Sequence, residues 1–152
     1  MCQSYRRPCA CRQRTAEIFF GNMVLDESSV REVYCPACSA TVSRDPISTV
    51  TDNGWVLELD LDVLRTYAPR MQIPADAVTA EKVFDADYAT WVGFSPEDNA
   101  KRSSEREELA KRHAADKRAH FEALKRWAVE REKRFHDEGW RKAAQRKAAY
   151  GG

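Results

Sequence analysis

Along residues 55–63 the side chains alternate, with Trp55, Leu57, Leu59, Leu61 and Val63 on one parity and Val56, Glu58, Asp60 and Asp62 between them. A period of two predicts a strand with one apolar face and one face carrying carboxylates. Asn53-Gly54 ahead of it reads as a turn. A helical period overlaps the later half, where Leu57, Leu61, Leu64 and Ala68 recur at four, three and four. The pattern therefore predicts a strand near 55–60 and a helix near 61–68, which Pro69 and Pro74 end.

Two further stretches carry a readable period. Ala16, Ile18 and Phe20 alternate with Thr15, Glu17 and Phe19, predicting a strand that Gly21-Asn22 closes. Residues 30–34 then bring the chain back as a hairpin, and Ala40-Thr41-Val42 adds a short third strand. Further on, Val83, Phe84, Tyr88, Trp91 and Val92 form one stripe behind a capping Thr79, which predicts a helix over 80–92 stopped by Gly93. No glycine-rich phosphate loop accompanies that stripe, so it reads as core rather than as a cofactor site.

Ser95-Pro96-Glu97-Asp98 is a helix start, with a capping serine, proline at the first helical position and acids in the first turn. No further proline follows, and the pattern predicts a single helix over 96–150, about 80 Å long at 1.5 Å per residue. Acid-before-base pairs four apart, such as Glu97/Lys101, Glu108/Arg112, Glu122/Arg126 and Glu130/Arg134, support it at about 0.2–0.5 kcal/mol each. Gly139 is the expected kink or early end. Phe121, Leu124, Trp127, Phe135 and Trp140 are too sparse for a coiled-coil seam and instead suit docking into a protein partner or back onto the protein's own domain.

Composition adds an asymmetry. Hydrophobic residues make up 43% and charged residues 32% of the 152, and the formal net charge is +1. Residues 1–96 hold 9 Lys+Arg against 13 Asp+Glu, whereas 97–152 hold 16 against 11, so the first part is acidic and the second basic. Neither a signal-peptide core nor an apolar run of membrane-spanning length is present, which predicts a cytoplasmic protein with no membrane association.

The strongest chemical signal is four cysteines, Cys9, Cys11, Cys35 and Cys38, spaced as C-x-C and C-x-x-C. In a reducing compartment such pairs suit metal ligation better than disulfides, and four thiolates close a tetrahedral site. Cys2 is left over as a free thiol near the chain start. Glu58, Asp60 and Asp62 read as a solvated face, because acid–base catalysis needs one carboxyl desolvated. His113 and His120 lack a Glu-x-x-His frame, so a helical metal site is not expected there.

The Cys35-Pro36-Ala37-Cys38 turn, the 23-residue spacer after Cys11 and the hairpin expected within it resemble the zinc ribbon family over Cys9 to Ser43. The first pair has one intervening residue where the family usually has two, and Ser39 stands where a glycine commonly follows. The resemblance implies a structural Zn2+ on the four cysteines, while iron, as a rubredoxin-like site or a cluster, suits the same ligands. Zinc ribbons serve transcription, translation and enzyme assemblies alike, so the resemblance names no single role.

Together these features predict an α+β chain: a zinc ribbon over 1–43, a small α+β extension packed on it over 44–95, and a long charged helix over 96–150. No nucleophile elbow, Walker loop or dinucleotide fingerprint appears, and the expected function is non-catalytic, an adaptor or accessory subunit bridging protein partners. The alternative is a nucleic-acid- or ribosome-associated protein. It would use Arg6, Arg7, Arg12, Arg14 and Arg31 with Tyr5, Phe19 and Tyr34, and the basic Arg141, Lys142, Arg146 and Lys147. An iron-thiolate electron carrier is a third reading.

Overall fold

The computed structural model describes residues 3–142; Cys2, Arg146, Lys147 and the predicted helix beyond 142 lie outside the described residues. The fold class is α+β, with six strands in two small antiparallel sheets and five α-helices among the described residues. The chain divides after Phe94 into two compact units.

In the first unit the alternating Thr15–Phe20 segment is a strand, β2, whose Ala16, Ile18 and Phe20 are buried. It lies between β1 (Gln3–Pro8) and β6 (Thr90–Phe94), with Tyr5 and Trp91 both paired to Ile18. The second sheet has β5 (Trp55–Leu59) at its centre, flanked by β3 (Val30–Tyr34) and β4 (Thr49–Asp52). A two-residue turn joins β4 to β5, and both its residues have positive φ, Asn53 at 49° and Gly54 at 82°. That is the primed-turn geometry whose twist matches a right-handed hairpin.

Three expectations fail here. Residues 12–34 do not form a hairpin, because β2 and β3 belong to different sheets; the chain crosses between them through single 3-10 turns at Gly21–Met23 and Glu27–Ser29. Ala40-Thr41-Val42 is a turn rather than a third strand. The stripe at 80–92 is a helix, α3, only over Ala80–Asp85, and Trp91 and Val92 belong to β6. A helical period puts residues 84 and 91, seven apart, on one face, but pairing with β2 makes residues 90–94 a strand. Phe84 and Trp91 still meet, edge to face, with ring centroids 5.3 Å apart.

The two sheets meet where β6 passes β5. Gly93 has no side chain at that point, and a Cβ built there would run into the Trp55 indole ring. Trp55 is 4% exposed, so the missing side chain is what admits the ring. The carboxylates of the 55–63 alternation serve the local fold. Glu58 lies 3.8 Å from Arg31, and Asp60 caps α2 (Leu61–Tyr67), accepting from Asp62 N at 3.0 Å and Val63 N at 3.4 Å. Val56, on the parity expected to face water, is fully buried because β5 is a central strand.

The second unit is not one helix. α4 (Pro96–Arg112) opens with the expected Ser95 cap, in which Ser95 and Asp98 exchange hydrogen bonds as a capping box. The chain leaves the helix at His113 and re-enters it at Asp116, whose Oδ1 accepts from Arg118 N at 3.0 Å and Ala119 N at 3.2 Å. α5 (Lys117–Glu138) then ends at Gly139, in the left-handed conformation with φ 98°. The two helices form a hairpin tied by Glu105, which accepts from Trp127 Nε1 at 2.7 Å and lies 3.8 Å from Arg134. Tertiary contact thus bends a segment that propensity alone favours as straight.

Candidate metal centre

Each cysteine pair sits at the end of a strand, and the two strands belong to different sheets. Cys9 follows β1 directly, and Cys11 lies in the tight connection to β2. That connection is closed by Cys9 N donating to Arg14 O at 2.8 Å and Arg12 N donating to Cys9 O at 2.8 Å, with Arg12 at φ 62°. Cys35 follows β3 directly and is the N-cap of α1 (Pro36–Ser39), which contains Cys38; Pro36 occupies the first helical position, where its missing N–H costs nothing. Ala10 N donates to Val33 O at 3.4 Å and joins the two segments.

The four sulfur atoms all lie within 4.8 Å of one another. Cys35 N–H donates to Cys9 Sγ at 3.1 Å, and Cys11 Sγ lies 3.8 Å from Cys35 Sγ. Cys9 and Cys35 are buried at 1% exposure each, Cys38 is half-buried and Cys11 is exposed. Burial pushes the Cys9 thiol up. The Gln13 backbone N–H is the main cause that brings Cys11 down to about 6, while hydrogen bonding with the sulfurs of Cys9, Cys11 and Cys35 pushes Cys38 up to about 12. Four thiolates this close repel one another, and a bound cation is what allows all four to ionise. An all-sulfur donor set of this compactness fits a soft or borderline metal ion.

Contacts around the cysteines hold this arrangement. Ser39 Oγ donates to Gly54 O at 2.8 Å and ties α1 to the β4–β5 turn, and Gly54 also packs against Pro36, where a Cβ would come within 3.2 Å of the proline Cγ. Ser39 is 5% exposed, so the serine at the usual glycine position has a packing role. Arg7 donates through Nη1 to Val30 O at 3.0 Å and through Nη2 to Arg31 O at 2.7 Å, linking β1 to the edge of β3. Nη1 and Nη2 are thus engaged at that seam, and Nη2 also lies 3.8 Å from Glu32. The sequence marks each of these positions, Gly54 in a turn, Ser39 after the second cysteine pair and Arg7 in a basic set, but not the contact it makes, which joins residues 15 to 24 apart in the chain.

The aromatic residues of the second unit differ in exposure and in partners. Phe121 is 57% exposed, with Lys125 Nζ 5.0 Å from its ring centroid, and Leu124 is half-buried. Trp127 is half-buried, bonded to Glu105, with Arg131 4.8 Å from its ring centroid; the same guanidinium lies 5.2 Å from that of Phe135. Trp140 is buried at 2% exposure and its Nε1 donates to Glu138 at 3.1 Å. Lys142, expected on a basic tail, is also buried. Val129 is a large hydrophobic side chain at 56% exposure, and a lone valine carries no periodic signal in the sequence.

No protein-family model, curated protein or solved structure matches this chain. Among the described residues no helix is long and apolar enough to cross a membrane.

Proposed function

We propose that the chain is a zinc-stabilised, non-catalytic binding module. The observation that supports it most is the convergence of Cys9, Cys11, Cys35 and Cys38 to within 4.8 Å. In this reading the four thiolates fill a tetrahedral coordination shell and leave no position for a substrate, so the ion's contribution is structural. Cys9 and Cys11 hang from the first sheet and Cys35 and Cys38 from the second. Binding therefore cross-links the two sheets at one end, while Trp55 packs against Gly93 elsewhere between them.

The second unit supplies the contact with a protein partner through the exposed Phe121 and Val129 of α5. This narrows the surface expected from the aromatic pattern, since Trp127 is engaged within the hairpin and Trp140 is buried. The test of the metal reading is elemental analysis of the full chain purified from medium containing both zinc and iron, together with its visible spectrum. One zinc per chain and a colourless protein are expected. A chain without stoichiometric metal, or one with iron–thiolate absorption, overturns the reading. The partner reading is tested by affinity purification with and without nuclease, where a protein retained by the wild type and lost with Phe121→Ala and Val129→Ala is expected.

A further inference from the structure

We propose that Cys11 is the hydroperoxide-reactive ligand of this site and Cys35 its resolving partner, so that oxidation joins the two sulfurs and releases the ion. The inference rests on the metal-binding reading above and concerns how that site is regulated. Three observations carry it. Cys11 is the exposed member of a cluster in which Cys9 and Cys35 are each 1% exposed, so an oxidant arriving from solvent meets Cys11 first. Cys35 Sγ is already 3.8 Å from Cys11 Sγ, and little movement is needed to bring the sulfurs to bonding distance. Cys9 Sγ, the alternative buried sulfur, accepts the Cys35 N–H at 3.1 Å, which lowers its nucleophilicity and holds it in place.

The chemistry balances with a hydroperoxide as the sole oxidant. The Cys11 sulfur attacks one peroxide oxygen, the O–O bond breaks, and the departing hydroxide takes a proton to become water, leaving Cys11 as a sulfenic acid. The Cys35 thiolate then attacks that sulfur; the S–S bond forms, the S–O bond breaks, and the oxygen leaves with a proton as a second water. Two thiolates have lost two electrons in all, and the peroxide has gained them. The site has lost two of its four ligands, Cys9 and Cys38 alone hold zinc poorly, and a dithiol reductant with added zinc reverses the change. Cys11 also lies in the turn between β1 and β2, outside both strands.

The experiment treats the zinc-loaded full chain with about one equivalent of hydrogen peroxide. It follows zinc release with a chromophoric chelator, traps sulfenic acid with dimedone, and maps disulfides by non-reducing proteolysis. Tandem mass spectrometry across Ala10 separates Cys9 from Cys11. The expected result is dimedone on Cys11, a Cys11–Cys35 disulfide, and zinc release at the same rate as disulfide formation, all reversed by dithiothreitol and zinc. Retention of zinc under peroxide, or a first disulfide joining another pair, overturns this inference and leaves the metal-binding reading standing. A chain that carries no metal before oxidation overturns both. The native residues are used throughout, so the result does not depend on whether a variant folds.

Discussion

The hydroxyl of Ser39 donates to the carbonyl of Gly54 at 2.8 Å, so the short helix that presents Cys38 is fastened to the turn of the neighbouring hairpin. The contact explains why a serine suits the position after the C-x-x-C pair. Ser39→Ala should cost about 1 kcal/mol, the usual net value of one hydrogen bond, and should weaken zinc binding by loosening Cys38. Denaturant melts with zinc present and a chelator competition check both effects, and unchanged stability would remove Ser39 from the account.

Gly93 and Trp55 predict a steric coupling between the sheets. Gly93→Ala places a methyl group against the indole ring and should destabilise the first unit by about 1–3 kcal/mol, the range for overpacking. Adding Trp55→Phe to that variant should recover part of the loss, so the double mutant costs less than the sum of the singles. Additive losses would show that the two residues do not share the space.

Removing the metal should act on one unit only. A strong chelator, or Cys38→Ser, is expected to lower the melting temperature of residues 3–94 while most of the helical circular dichroism, which comes from α4 and α5, persists. Lowering the pH should have the same direction of effect, because protons compete for thiolates and both Cys9 and Cys38 hold theirs more tightly than an ordinary thiol. Identical melting curves with and without chelator would contradict a structural ion.

Glu105 joins the helical hairpin of the second unit through Trp127 and Arg134. Glu105→Ala should destabilise that hairpin by about 1 kcal/mol or slightly more, since a charge-assisted bond to a half-buried indole is lost while the exposed part of the ion pair contributes little. Proteolysis at the connection 113–116 should quicken correspondingly. No change in cleavage rate would mean that the hairpin is held elsewhere.

The periods of two at 15–20 and 55–59, a turn at Asn53-Gly54, the caps at Thr79 and Ser95 and the stop at Gly139 were all legible in the sequence. Each depends on neighbours within a few residues, which is the range over which φ/ψ preference, capping and side-chain alternation act. The four cysteines were legible for a related reason, since thiol chemistry needs no register to be recognised. Strand pairing was not: β2 and β3 looked like partners because they are neighbours in sequence, yet β2 pairs with β6 from 75 residues further on, as Thr15 with Phe94 and Phe19 with Thr90 show. The same non-local pairing made a strand of residues 90–94, and the single helix expected from 96 is instead two helices separated at 113–116 and joined through Glu105. Local chemistry determined which residues could ligate, turn and cap; only the tertiary structure decided that the two cysteine pairs stand on separate sheets, because pairing and packing energy is shared among residues distant in the chain.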